Sequence, residues 1–364
     1  MFTARGRVAW KPILLLLLSC GVALLLAEAL CRLALPSSRF WFPKGTYVPD
    51  PVVKYRLAQN FKGEVRTPRF HYHLRTSSQG FRGAEFEPDA NKKMVALFGD
   101  SFAFGQGVEE GDSFAGILAK DLAPLDHQVI NAGVYGYETA QEYQTYRRLN
   151  SRYKIDIVLL QVCWNDVVDQ SEPIRRGVYN GYLNANPPTT AWGEFKNTVL
   201  LRFEFFNQLN LLGYKFRAAT QRPPDFLSLG YETAKAREIE STTKMMEEWI
   251  REAADRKQQF VVLYTPHEWQ VNPGQSAIRG WQAKGEKLDL DAAHRWLVRL
   301  LERHPGVVYV DIVEPFRNHY RKGGASLYIP GDEHTNPEGN RLIAHILETT
   351  VFHARSTSSP QAKR

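Results

Sequence analysis

The chain has 364 residues, 43% of them hydrophobic and 23% charged, with three cysteines and a formal net charge of +7. This length is ample for a large core, and three cysteines exclude a fold that depends on several disulfides. Residues 1–33 carry a net +3 and residues 353–364 another +3, so about +1 remains for the body, too little for a nucleic-acid-binding surface.

The first element is an apolar run from Pro12 to Ala27, which can extend to Leu30 if Glu28 lies at a membrane interface. Its charge-free core spans about 24 Å as a helix, and basic residues precede it, namely Arg5, Arg7 and Lys11. We therefore predict that residues 1–35 form a cytoplasmic stub and an uncleaved single-pass anchor in the inner membrane, with the rest on the periplasmic side.

Two other interpretations of this segment remain open. Ala27-Glu28-Ala29 has the small-x-small form of a signal-peptide cleavage site, and Leu17-Leu18-Ser19-Cys20 resembles a lipoprotein cleavage site. The apolar run continues past Cys20, which is unusual for a lipoprotein. All three interpretations export the remainder of the chain.

Residues 36–91, rich in proline and aromatic residues, are predicted to form an extension that packs on the core as short β segments. Beyond them, strand patterns alternate with helical periodicity. The predicted strands are Met94–Phe98, Gln128–Ile130, Ile155–Cys163, Phe260–Thr265 and Val307–Val313, and the predicted helices are Ser113–Leu122, Glu138–Arg152, Ala234–Lys257, Leu290–Arg303 and Asn340–Phe352.

This alternation predicts an α/β fold, a three-layer α/β/α sandwich with a flavodoxin-like parallel five-stranded sheet. Residues 92–352 would form this domain. The Ser- and Pro-containing tail, residues 353–364, is predicted to be disordered.

The first predicted strand ends at Gly99-Asp100-Ser101. Gly99 permits a sharp turn, and Ser101 would stand where the next helix begins, at the sheet edge where α/β proteins bind ligands. Serine is also a common helix N-cap, so this segment alone leaves both interpretations open.

Three other polar groups follow predicted strands or precede the last helix. Asn131-Ala132-Gly133 and Trp164-Asn165-Asp166 offer hydrogen-bond donors at strand ends, and Asp332-Glu333-His334 places an acid and a histidine on one loop. A nucleophilic serine needs such a base, and the base needs an acid to orient it.

The ordered set Gly-Asp-Ser, Asn-x-Gly, x-Asn-Asp and Asp-x-His resembles the four blocks of the SGNH hydrolases, or GDSL-type esterases, over residues 92–350. The resemblance implies that Ser101 is the nucleophile, His334 the base and Asp332 its orienting acid. It also implies an oxyanion hole formed by the N–H groups of Ser101 and Gly133 and the amide of Asn165.

The sequence departs from the family pattern at two places. Cys163 stands where the third block usually has glycine, and the last block is the shorter Asp-x-His instead of Asp-x-x-His. Asp100 and Asp166 are interpreted as structural acids, Cys163 as a small buried residue, and His267 as a residue that lines the cleft.

An insertion, residues 167–231, follows directly on Asn165 and is rich in aromatic side chains, so it could cover the cleft. The alternative is that Leu200 to Phe216 is an amphipathic helix packed on the core. No histidine cluster has metal-ligand spacing, His71 and His73 included, so neither a metal nor a cofactor is expected.

The resemblance implies a membrane-anchored serine esterase, and an acetyl-type ester on an extracytoplasmic glycan is the first expectation for its substrate. An O-acyltransferase that modifies cell-surface polysaccharide would use the same residues. A third possibility is a catalytically idle member that only binds glycan. The sequence leaves the oligomeric state open.

Overall fold

A computed structural model describes residues 10–35, 42–168, 170–219, 223–272 and 274–352. The chain divides into two compact units, one formed by residues 1–40 and 188–221 and the other by residues 41–187 and 222–364. After the roles that the sequence analysis predicts for them, we call them the anchor unit and the hydrolase unit. Residues 1–9 of the predicted cytoplasmic stub and the predicted disordered tail lie outside the described residues.

Eleven strands occur in the described part of the chain. They are β1 (Tyr47–Asp50), β2 (Lys54–Leu57), β3 (Lys62–Arg66), β4 (His71–Arg75), β5 (Lys93–Phe98), β6 (His127–Asn131), β7 (Ile157–Cys163), β8 (Gly177–Tyr179), β9 (Tyr182–Asn184), β10 (Gln259–Thr265) and β11 (Val308–Asp311).

Thirteen α-helices occur in the same residues. They are α1 (Trp10–Ala34), α2 (Ser101–Phe104), α3 (Phe114–Leu122), α4 (Thr139–Asn150), α5 (Ala191–Thr198), α6 (Glu204–Ala219), α7 (Tyr231–Ala234), α8 (Ala236–Asp255), α9 (Glu268–Val271), α10 (Ser276–Ala283), α11 (Ala292–Glu302), α12 (Val313–Arg321) and α13 (Pro337–Leu347).

The central sheet of the hydrolase unit has five parallel strands in the order β11-β10-β7-β5-β6. Numbered along the chain, this order is 2-1-3-4-5, the flavodoxin-like arrangement. Helices flank the sheet, so the predicted fold class is confirmed. In such sheets ligands bind where the strand order reverses, which here is beside the carboxyl ends of β5 and β7.

The interior strands are buried because both faces of a parallel sheet are covered by helices. All seven residues of β7 are buried, and Gln161 is its one polar residue. Burial of such a strand contributes about 25 cal/mol per Å² of apolar surface, so the central sheet stabilises the hydrolase unit.

The predicted strands and helices agree with the structure to within two residues at most ends. Two ends differ. The last helix begins at Pro337, three residues earlier than predicted, because the Asn336 side chain accepts a hydrogen bond from Gly339 N–H (2.9 Å) and proline suits the first helical position. The predicted strand Val307–Val313 ends at Asp311, whose carboxylate accepts the Val313 N–H (2.8 Å) at the start of α12.

The extension forms two antiparallel hairpins, β1–β2 and β3–β4. Its buried side chains, among them Tyr55 and Tyr72, share one apolar cluster with Phe104 at the end of α2. Tyr55 also donates a hydrogen bond to the Gly136 carbonyl (2.8 Å). The extension therefore packs on the segments that follow β5 and β6.

In the anchor unit, α1 has 25 residues and a mean hydropathy of 2.6 over its most apolar 18-residue window. At 1.5 Å per residue it is about 37 Å long, against a hydrocarbon layer of about 30 Å. Among the described residues it is the one helix long and apolar enough to cross a membrane. Helix α6 of the insertion packs against it.

Candidate active site

Ser101 is positioned by the turn between β5 and α2. Gly99 has φ +149°, and a Cβ there would lie 2.5 Å from Gln161 Oε1, so only glycine fits. The N-cap of α2 is Asp100, whose carboxylate accepts the Phe102 N–H (2.9 Å). The cap interpretation of Ser101 is therefore wrong. Its hydroxyl lies 3.4 Å from Asp100 Oδ2, a long hydrogen bond, and has a second, closer partner.

That partner is His334. Ser101 Oγ lies 2.8 Å from His334 Nε2, and His334 Nδ1 lies 2.5 Å from Asp332 Oδ1. When the imidazole is neutral, Nδ1–H donates to Asp332 and Nε2 accepts from the serine hydroxyl. The structure thus brings together three residues from opposite ends of the domain, in the order in which the sequence analysis predicts a nucleophile, a base and an acid.

The loop before α13 holds the histidine. Asp332 Oδ1 also accepts the backbone N–H of His334 (3.1 Å), so the short Asp-x-His spacing lets one carboxylate contact both the ring and the main chain. The His334 carbonyl accepts a hydrogen bond from the Ile329 N–H (2.9 Å). Ser101 and His334 are 5% and 6% exposed, so their hydrogen bond is shielded from water.

Charge favours the ionised acid and a basic histidine. Burial alone would lower the pKa of His334, but the hydrogen bond and charge of Asp332 outweigh it and raise that pKa above its ordinary 6.5. Burial alone would raise the pKa of Asp332, but the hydrogen bonds and charge of His334 outweigh the effect of burial and lower that pKa. The imidazolium that forms when His334 takes a proton is therefore stabilised.

Arg69 is a site residue that the sequence analysis missed. It lies in the turn between β3 and β4, and its Nη1 is 3.6 Å from Asp332 Oδ2. The N-terminal extension therefore places a positive charge beside the acid of the pair. No local pattern around Thr67-Pro68-Arg69 indicates this, because the contact spans more than 250 residues.

Gly133 lies against the segment that carries Ser101. A Cβ on Gly133 would be 2.7 Å from Ala103 Cβ and from Phe104 N, so the close approach requires glycine. Its N–H donates to Asn131 Oδ1 (3.0 Å). The part of Gly133 in an oxyanion hole stays a prediction. To play it, the Gly133 N–H would have to turn from Asn131 to the substrate oxygen or donate to both.

Asn165 follows β7 at the same sheet edge. Its Oδ1 accepts a hydrogen bond from Cys163 Sγ (3.0 Å), while its NH₂ group makes no hydrogen bond to any residue that the structure describes. Burial raises the pKa of the Cys163 thiol well above its ordinary range, so the thiol keeps its proton and acts as the donor. The amide orientation leaves the NH₂ group available to an oxygen.

Two buried side chains that the sequence analysis did not single out hold the segment that carries Ser101. Gln161 Oε1 accepts the N–H groups of Asp100 (3.3 Å) and Ala103 (3.2 Å). Arg82 donates through Nη1 to the Phe104 carbonyl (2.6 Å) at the end of α2. The sequence could have indicated Gln161, because it is the one polar residue in an apolar strand. Nothing in the sequence distinguishes Arg82.

The acids interpreted as structural make structural contacts. Asp100 caps α2, and Asp166 Oδ2 accepts the Cys163 N–H (2.7 Å). His267 caps α9 by accepting the Trp269 N–H (3.1 Å), and burial together with the charge of His334 lowers its pKa to about 4. His267 is therefore neutral near pH 7, and its ring packs among Trp164, Phe226 and Trp269.

Among the described residues, no group of three or more His, Cys, Asp and Glu side chains could hold a metal ion. His71 and His73 instead lie near Glu64, and His73 Nδ1 is 3.0 Å from Glu109. What the arrangement around Ser101 offers is a hydroxyl, a base, an acid and amide donors, the set needed for nucleophilic attack on a carbonyl.

Comparison with known families and structures gives the following matches. The family model of the GDSL-like lipase/acylhydrolase family matches residues 97–342. No curated protein matches the chain significantly. Among solved structures, LAE5, an alpha/beta hydrolase enzyme from the metagenome of Lake Arreo, Spain, is 15% identical with a TM-score of 0.43, covering 74% of this chain and 99% of that chain.

Two further solved structures are similar. TesA is 13% identical with a TM-score of 0.40, and the match covers 71% of this chain and 97% of that chain. A catalytic mutant of Axe2, an acetylxylan esterase from Geobacillus stearothermophilus, is 12% identical with a TM-score of 0.41, covering 72% of this chain and 96% of that chain.

Proposed function

Since the chain belongs to the GDSL-like lipase/acylhydrolase family, we propose that it is a serine esterase in which Ser101 forms an acyl-enzyme. The observation that carries this proposal is the hydrogen-bonded chain Ser101–His334–Asp332, with separations of 2.8 and 2.5 Å. The 2.8 Å separation of Ser101 Oγ from His334 Nε2 lies within the range for proton transfer between a nucleophile and its base.

In the proposed reaction, Ser101 Oγ attacks the ester carbonyl carbon while His334 Nε2 takes the hydroxyl proton. The carbonyl oxygen becomes negative and accepts hydrogen bonds from the Ser101 N–H, the Gly133 N–H and the Asn165 amide. The C–O bond to the alcohol then breaks, and the alcohol leaves with the proton from Nε2. Water attacks the acyl-serine by the same route, which releases the acid and restores Ser101.

For the substrate we propose an acetyl-type ester on a glycan. Two observations support this class. The partly exposed indole of Trp164 adjoins Asn165 and stacks on Phe226 with ring centroids 4.5 Å apart, and Trp269 lies beside the same ring. Flat aromatic faces next to a catalytic residue suit a sugar ring, and the proposed export of the domain would expose it to surface polysaccharide.

An O-acyltransferase is the second candidate, because transfer to a sugar hydroxyl in place of water uses the same acyl-enzyme. Hydrolysis of an aryl acetate by the purified full-length protein in detergent, with and without an oligosaccharide, tests the proposal. We expect free acetate in both mixtures at equal rates. Acetylated sugar would favour the transferase, and no turnover in either mixture would favour an idle glycan-binding member.

We also propose that α1 holds the protein in the inner membrane with the hydrolase unit outside the cytoplasm. The basic residues before the apolar run and the length of α1 support this orientation. A reporter that is active only in the cytoplasm, fused after Arg364, is expected to stay silent. A strong reporter signal would contradict the proposed topology.

The raised pKa of His334 predicts an acid limb of kcat/KM above pH 6.5, because the protonated ring cannot accept the serine proton. Asp332→Asn removes the largest of the contributions that raise this pKa and leaves the burial that lowers it. We therefore expect the limb to move to lower pH, together with a fall in kcat of up to about 10⁴-fold.

Glu333→Gln is the matched control for this pH profile. Glu333 raises the pKa of His334 by charge alone and makes no described hydrogen bond to it, so its removal should move the limb less and leave kcat nearly unchanged. If the acid limb of Asp332→Asn coincides with that of the unmodified protein, Asp332 is not the acid that acts on His334.

A further inference from the structure

The insertion differs from the rest of the chain in where it packs. Residues 188–221 cluster with the N-terminal helix, whereas the residues on either side of them belong to the hydrolase unit. Helix α6 contacts α1, and α5 contacts the short turn before α6. The chain therefore passes between the two units three times, near residues 40, 187 and 221.

A polar clamp joins α6 to α1. The Glu28 carboxylate accepts the backbone N–H groups of Glu204 (3.0 Å) and Phe205 (2.9 Å), the first amides of α6. These amides have no partner within their own helix, and a carboxylate at this end also complements the helix dipole. Arg32, one turn further along α1, contacts Glu28 (2.5 Å) and donates to the Arg202 carbonyl (3.1 Å).

The clamp fixes the depth of α6. Glu28 lies about 27 Å along α1 from Trp10, close to the far side of a hydrocarbon layer of about 30 Å. An acidic side chain at that depth is costly unless it is paired. Glu28 is only 8% exposed because α6 and Arg32 cover it, so α6 begins at the level of the membrane interface if α1 spans the bilayer.

The same segment exposes an apolar surface. Nine large apolar side chains beyond residue 40 are exposed in the described chain, and six belong to this segment of 34 residues. These six are Trp192, Phe195, Val199, Phe203, Leu209 and Leu212. Trp192, Phe195 and Val199 recur at intervals of three and four along α5, and Leu209 and Leu212 are three apart on α6, so each helix has an apolar stripe.

Polar residues accompany the stripes in the pattern of interfacial helices. Residues 188–221 contain four basic and two acidic residues, a net charge of +2. Lys196 is exposed next to Phe195, and tryptophan, here Trp192, is favoured at headgroup level. Basic and aromatic residues around an apolar face favour the surface of an anionic bilayer over water.

We infer that residues 188–221 lie in the membrane interface, with the apolar faces of α5 and α6 in the lipid layer beside α1. The inference rests on the proposed membrane anchor. It assigns the apolar surface to lipid because α6 packs against α1, a helix whose own large apolar side chains are exposed along most of its length. The insertion would then be a second membrane contact of the hydrolase.

Site-directed spin labelling of the full-length protein in phosphatidylcholine–phosphatidylglycerol vesicles tests this. Cys20 and Cys31 are replaced by alanine, and the buried Cys163 is kept. Labels at Phe195→Cys and Leu209→Cys are expected to be more accessible to oxygen than to a water-soluble nickel chelate, so that their accessibility ratio exceeds one.

Three further label sites are controls. Leu17→Cys on α1 should also give a ratio above one, whereas Val52→Cys in the hydrolase unit and Glu194→Cys on the polar side of α5 should give ratios below one. If the labels at 195 and 209 resemble that at 52, the segment lies in water and the inference fails while the anchor stands. If the label at 17 is also aqueous, the anchor itself fails.

Shielding of labels 195 and 209 from both reagents would mean that protein covers this surface, a second copy or another partner, and would also overturn the inference. Glu28→Leu removes the cap of α6. In that background we expect the label at 209 to become more mobile and the label at 17 to keep its spectrum. An unchanged spectrum at 209 would overturn the role of Glu28 in holding the segment.

Discussion

Ser101→Ala is expected to lower kcat on an aryl acetate by about 10⁵- to 10⁶-fold while the protein stays folded. The substitution removes the only atom that can form the acyl-enzyme in the proposed reaction and deletes two hydrogen bonds, one of 2.8 Å with His334 and a longer one of 3.4 Å to Asp100. The measurement is steady-state hydrolysis together with the circular dichroism spectrum. A fluorophosphonate probe should label the unmodified protein at Ser101 and fail to label this variant.

The losses of activity caused by substituting Ser101 and His334 should not be additive. His334 acts on the reaction only through the proton of the serine, so His334→Ala and the double variant should each be about as inactive as Ser101→Ala. Ser151→Ala, an exposed serine after α4, serves as the control and should retain full activity. Full activity or probe labelling in a folded Ser101→Ala protein would contradict the assignment of the nucleophile.

Asn165→Ala is expected to lower kcat by on the order of 10² to 10³ with little change in KM. The amide NH₂ has no described partner in the free protein, so its hydrogen bond would form with the oxygen that becomes negative in the transition state. Steady-state kinetics on the aryl acetate separate kcat from KM. A loss confined to KM would mean that Asn165 binds substrate, and a loss of folding would mean that it is structural.

Cys163 provides a matched pair of variants for the same group. Its thiol donates to Asn165 Oδ1, so Cys163→Ser keeps a donor and Cys163→Ala removes it. We expect Cys163→Ala to lower kcat less than Asn165→Ala does, because the amide would lose its orientation but remain present. Cys163→Ser should stay closer to the unmodified enzyme. Equal activity of the two variants would contradict the orienting role of the thiol.

Local patterns predicted the central sheet well. Each of the runs that became β5, β7 and β10 is mostly apolar and bounded by turn residues, with Gln161 as the one polar residue inside β7, and such a run is enough to predict a strand buried on both faces. The end of β11 was predicted less well. Val313 is as apolar as the strand before it, and the helix start is decided by the side chain of Asp311.

Local sequence patterns could not predict the residues that support the site. Arg82 and Arg69 belong to the extension, and their partners lie in α2 and in the loop before α13. The sequence around each arginine resembles any exposed loop. Arg82 becomes a buried donor to backbone carbonyls only because the hairpins fold against α2, and this packing follows from apolar residues spread over the whole extension.

The insertion is the clearest case in which the tertiary structure, and not the local sequence, decides where a segment packs. Its aromatic residues are compatible with a cover over the cleft, with a helix on the core and with a membrane surface, because all three environments favour amphipathic helices. The structure places α6 against α1 through Glu28. In the sequence Glu28 was only an acid at the edge of an apolar run, since its partners, two backbone amides, have no side-chain signature.

The sequence by itself determined the fold class, the strand ends and the residue types that stand there, because each depends on periodicity and turn chemistry within a few neighbours. Tertiary structure decided which of those residues meet: the 2.8 Å contact between Ser101 and His334, the orientation of Asn165 by Cys163 and the attachment of α6 to α1. Such contacts join segments that are distant in the chain. Their geometry is set by the packing of the whole core, and no local sequence pattern predicts it.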